Sequence, residues 1–82
     1  MSRYMDRARR TALLSGELVS MTRTGETGGL LVSREEARGI LACPDGGAWT
    51  LELIDGDVVR ETRYLDGRVI GRSAVMLSEV RS

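Results

Sequence analysis

The chain has 82 residues, with 12 basic and 12 acidic side chains, so its formal net charge is zero and no partner is drawn by the charge of the whole molecule. It has no His, no Phe, one Cys and one Trp, and every basic residue is Arg. Without His or Lys the commonest general base and the Schiff-base nucleophile are missing, and one Cys without His offers neither a disulfide framework nor a zinc site.

Residues 1–82 are expected to form one small domain, since a chain this short buries only a little over ~60% of its unfolded surface. Its aromatics are Tyr4, Trp49 and Tyr64, so the core must be aliphatic. A thin core of this kind is expected to recruit a second copy, which makes a homodimer the expectation. The exclusive use of Arg, with Asn, Phe and Lys all missing, reads as a GC-rich coding sequence. No apolar run reaches the ~18–20 residues that span a bilayer, and the opening MSRYMDRARRTALL lacks the apolar centre of a signal peptide. With a single cysteine, the expectation is a cytoplasmic chain with no membrane partner.

Residues 3–14 are compatible with a short helix or a flexible arm. Tyr4, Ala8, Thr11 and Ala12 would share one face. Arg3, Arg7, Arg9 and Arg10 make this the one charge-biased region. Residues 1–23 carry five arginines against Asp6 and Glu17, a net +3 that the rest of the chain balances with −3. Residues 16–23, GELVSMTR, read as a strand with Val19, Met21 and Arg23 on one face. A glycine-rich loop, 24–29, leads to the apolar run Leu30-Leu31-Val32, so the two segments form a first hairpin.

Ser33-Arg34-Glu35-Glu36 is a capping box, in which the Ser hydroxyl accepts from the amide of Glu36 and the Glu36 carboxylate reaches back. Glu35 and Glu36 also suit the positive end of the helix dipole. Ala37, Ile40 and Leu41 form the apolar stripe of this helix. It should stop near Cys43, because Pro44 disfavours helical geometry at the residue before it. Cys43 then reads as a core or boundary thiol.

Trp49 to Leu77 reads as a three-stranded meander. Asp55-Gly56 and Asp66-Gly67 each suit the two central positions of a type I′ turn. Trp49, Leu51 and Leu53 should face the helix. The second turn predicts Tyr64 opposite Val69, Thr62 opposite Gly71 and Glu61 opposite Arg72, the last an ion pair worth roughly 0.2–1 kcal/mol. Arg60-Glu61-Thr62-Arg63 places polar groups on both faces, as in a hairpin that projects beyond the core. The likeness of IDGDVVR and LDGRVIGR is read as a shared turn requirement rather than a repeat. Ala74 to Leu77 is read as the end of the third strand.

The class is therefore α+β: an N-terminal hairpin, one capped helix and a three-stranded antiparallel meander packed on it. Asp45, Asp55, Asp57 and Asp66 match no Ca²⁺-loop spacing and three of them abut turn glycines, and the segment Gly25 to Gly29 lacks the Gly-Lys-Ser/Thr ending of a phosphate loop. No metal, cofactor or catalytic residue is expected. The functional expectation is a small non-enzymatic regulator or inhibitor that binds a protein through a sheet edge or charged surface. Phage- or mobile-element-encoded blockers of host defence are one such class. Arg60, Glu61, Arg63 and Arg72 are the candidate contact residues, guarding an outer strand against non-specific pairing. The alternative is a nucleic-acid-binding transcriptional regulator that uses Arg3, Arg7, Arg9 and Arg10.

Overall fold

The computed structural model describes residues 7–78. The elements in chain order are α1 (Arg7–Ser15), β1 (Leu18–Arg23), β2 (Leu30–Ser33), α2 (Arg34–Leu41), β3 (Ala48–Asp55), β4 (Val58–Leu65) and β5 (Arg68–Met76). The five strands form one antiparallel sheet in the order β2-β1-β3-β4-β5, and the chain is α+β.

Both hairpin segments and the meander form as the sequence implies. The step that joins them is the pairing of β1 with β3, Met21 opposite Leu51 and Arg23 opposite Trp49. Since β1 runs antiparallel to both β2 and β3, those two strands are parallel with β1 between them. The connection through α2 is therefore a crossover, and it lays the helix over β1 and β2.

That placement decides where the core sits. Val19 and Met21 of β1, Ala37 and Leu41 of α2 and Trp49 of β3 form the buried cluster. Val32, Ile40, Leu51, Leu53 and Tyr64 pack around it. The stripe of Ala37, Ile40 and Leu41 thus covers the face bearing Trp49, Leu51 and Leu53. Met21, under the helix and flanked by strands on both sides, is 0% exposed.

The capped start of α2 is present. Ser33 is extended, and its hydroxyl accepts from the amide of Glu36 at 3.1 Å and lies 3.3 Å from the Glu36 carboxylate. The helix ends at Leu41, and the Ala42 amide still donates to Arg38 at 3.1 Å. Cys43 is exposed rather than packed, because Leu41 is the last stripe residue and the chain turns outward after it. In α1, Ala8 and Thr11 are exposed and the half-buried residues are Ala12 and Leu13, so the expected face is rotated. Tyr4 lies outside the described residues.

The two turns differ. Asp66 and Gly67 both have positive φ, 49° and 82°, and close the Leu65–Arg68 pair as a type I′ turn requires. The first turn is centred on Gly56-Asp57, not Asp55-Gly56, with Asp55 opposite Val58. Of these two only Gly56 has positive φ, the pattern of a type II′ turn. This register sets Ile54 opposite Val59 and Trp49 opposite Tyr64, two apolar or aromatic cross-strand pairs.

The register of the last hairpin also departs from expectation. Tyr64 faces Val69, but a bulge follows, so Arg63 faces Gly71, Thr62 faces Arg72 and Glu61 faces Ser73. The bulge brings Val75 opposite Val59 and Met76 opposite Val58. Those apolar pairs outweigh one exposed Glu61–Arg72 ion pair. Leu77 lies beyond the strand, and its amide donates to the Asp57 carbonyl at 2.6 Å.

Candidate partner-binding face

The sheet is covered unevenly. Helix α2 lies over β1 and β2, and α1 packs against β1 and β3. Neither helix packs as extensively on β4 or β5, although Tyr64 of β4 reaches the cluster that holds Ala37 and Leu41. Every residue of β5 except Gly71 is exposed. Val69, Ile70, Val75 and Met76 account for four of the seven exposed large apolar side chains among the described residues, at 43%, 60%, 44% and 45%. No described strand pairs with the outer side of β5.

A second contact holds the β4–β5 ribbon to the body. The Gly47 amide donates to Asp66 Oδ1 at 2.9 Å, and the Asp66 amide donates to the Gly47 carbonyl at 2.9 Å. Trp49 Nε1 donates to the Gly46 carbonyl at 3.0 Å. The loop after α2 is thus tied to the Asp66-Gly67 turn and to the core tryptophan.

The four candidate contact residues divide between the faces. In an antiparallel pair, directly opposite residues share a face. Arg60 lies opposite Leu53, and Arg72 lies opposite Thr62, which itself faces Leu51. Both arginines therefore belong to the face that α2 covers further along. Glu61 and Arg63 belong to the other face, Glu61 between Glu52 and Ser73, Arg63 between Thr50 and Gly71. Strand β4 is an inner strand, not an outer one, so its charges guard no edge. The edges are β2 and β5.

On the α2 side there are two hollows. The first, about 200 Å³, lies between α2 and the sheet, with Leu41, Leu51, Leu53 and Tyr64 as its apolar lining and Arg34 and Arg38 beside them. The second, about 490 Å³, opens over Arg60, Thr62, Arg72 and Ala74, with Glu61 and Ser73 also contributing. Leu53 and Leu51 of the first lie directly opposite Arg60 and Thr62 of the second in the β3–β4 pairing. Arg60 Nε sits 3.5 Å from Asp55 Oδ2 in an exposed pair. Arg34 Nε donates to the Gly16 carbonyl at 2.8 Å, and Arg23 stacks over Trp49 at 4.9 Å from the ring centre. The sequence-level reading missed this grouping, because α2 and β4 are brought together only by the β1–β3 pairing.

Of the N-terminal arginines, Arg7, Arg9 and Arg10 are exposed on α1, and Arg3 lies outside the described residues. No described helix is long and apolar enough to cross a membrane. No protein-family model, curated protein or solved structure matches the chain.

Proposed function

We propose that this chain is a small, non-enzymatic regulator or inhibitor that works in the cytoplasm by binding another protein. The carrying observation is β5: a nine-residue edge strand, Arg68–Met76, with four exposed large apolar side chains and no described strand on its outer side. Open edges of this kind pair with strands of other chains, and backbone hydrogen bonds supply the affinity. A phage- or mobile-element-encoded blocker of host defence is the class this reading belongs to. A second copy pairing along the same edge, giving a homodimer, uses the same surface.

The test is site-specific photo-crosslinking in the native host. A crosslinking residue at Ser73 should yield one stoichiometric protein adduct, and one at Glu35 on the exposed side of α2 should not. Replacing Val75 and Ile70 with Asp should abolish the adduct. No adduct from β5 would sink the reading. Nucleic-acid binding is the second reading, supported by the exposed Arg7, Arg9 and Arg10 on a helix with no acidic residue in its first turn. Salt-sensitive binding to mixed DNA and RNA, lost when those three become Ala, would put it first.

A further inference from the structure

The neutral net charge of the chain conceals a local excess of arginine around the two hollows on the α2 side. Arg34 and Arg38 border the first hollow, which no acidic side chain lines, and Arg60 and Arg72 border the second, where Glu61 is the acidic lining residue and Asp55 is engaged with Arg60. Between the arginines runs an apolar floor of Leu51, Leu53 and Tyr64. Arg38 follows Arg34 by one helical turn, so both border the first hollow from the same side of α2. Arg60 and Arg72 border the second from the ribbon.

We propose that this cleft between α2 and the β4–β5 ribbon binds an acidic amphipathic segment of a partner protein. The segment sets apolar side chains on Leu51, Leu53 and Tyr64 and carboxylates against Arg38, Arg60 and Arg72. The occupant follows from charge complementarity and shape. Arginine forks take carboxylates in bidentate geometry, and an apolar floor favours leucine-type anchors over a uniformly polar ligand. Arg34, occupied by the Gly16 carbonyl, is a positioning residue that fixes the helix start at the rim. The proposal rests on the protein-binding reading but not on the β5 edge.

The experiment titrates the full chain with capped peptides of about 16 residues, ~24 Å as a helix. One carries leucines at helical spacing flanked by Glu, and its twin has Gln for every Glu. A single-stranded DNA and a single-stranded RNA of similar length are run alongside. The Glu peptide should bind saturably and shift the amide resonances of Leu51, Leu53 and Tyr64. The Arg38→Gln and Arg60→Gln variants should each bind the Glu peptide about tenfold more weakly, the loss of roughly one charged contact, and the Gln twin, which loses every such contact, should bind the wild type more weakly still. Arg68→Gln, on the opposite face, should not change affinity. Thermal unfolding of each variant confirms that it is folded. Equal binding of both peptides, no saturable binding of either, or tighter binding of the oligonucleotides would each overturn the proposal. A β5 crosslink in the host together with no peptide binding would remove this inference and leave the protein-binding reading in place.

Discussion

At the residue scale, two glycines in comparable turns separate backbone strain from packing. Gly56 has φ of 61° and nothing within 4 Å of the place a Cβ would occupy. Gly67 has φ of 82°, and a Cβ there would stand 3.0 Å from the Cys43 carbonyl and 3.1 Å from that of Ala42. Gly56→Ala should cost about 1 kcal/mol, the penalty of a left-handed alanine. Gly67→Ala should cost about twice that or more, because backbone must also move. Urea unfolding followed by Trp49 fluorescence measures both, and equal costs would show that the second turn does not seat on the helix end. A second residue-level feature is the pair Glu52 and Glu61, like charges set directly opposite across inner strands and both half-buried. Glu61→Gln should stabilise the fold by about 0.2–1 kcal/mol, more at low salt. Unchanged stability would mean that nearby arginines already neutralise the pair. The Asp66-Gly67 turn was legible in the sequence because its requirement is local: two positive φ values in consecutive residues. The Glu52–Glu61 opposition was not, because it follows from a turn one residue later than Asp55-Gly56 suggests.

At the scale of elements, the sequence speaks clearly wherever neighbours in the chain are neighbours in space. The cap of α2, its Ala37-Ile40-Leu41 stripe and the Tyr64–Val69 pairing all belong to that group. Ser33→Ala should lower stability by about 1 kcal/mol, and Ser33→Asp should restore most of it, since Asp also accepts from the Glu36 amide. Equal losses in both variants would mean that the hydroxyl contributes through something other than the cap. The β5 bulge escaped because it is decided at the far end of the hairpin. An unbulged strand would leave Val59 facing Ala74, and one extra residue puts Val75 there instead. The candidate contact residues were affected more by this than the fold was. Arg60, Glu61, Arg63 and Arg72 look like one charged cluster in the sequence, yet the pleat of β4 sends them to two faces, and the bulge decides which face Arg72 joins.

At the scale of the molecule, the organising fact is that β1, an unremarkable LVSMTR, becomes the strand beneath the helix. Nothing local in that segment announces it; the meander has stronger alternation, and a thin domain could have centred there. The crossover from β2 through α2 to β3 joins two parallel strands that do not pair with each other, and β1 lies between them and pairs with both. Two methionines test that arrangement. Met21 is 0% exposed at the centre, and Met76 is 45% exposed at the end of the edge strand. Met21→Ala should cost ~2–5 kcal/mol, a large share of the ~4–12 kcal/mol a domain this size possesses, and should leave the chain partly unfolded at 37 °C. Met76→Ala should change the stability of the dilute monomer by no more than ~0.5 kcal/mol. If β5 is covered by a second copy, the Met76 variant instead falls behind the wild type as protein concentration rises, because the wild type gains stability from association and the variant gains less. Denaturation at two widely separated concentrations therefore reads the centre of the fold and the occupancy of its open edge together. Similar losses for the two variants at high dilution would show that burial is not concentrated on β1.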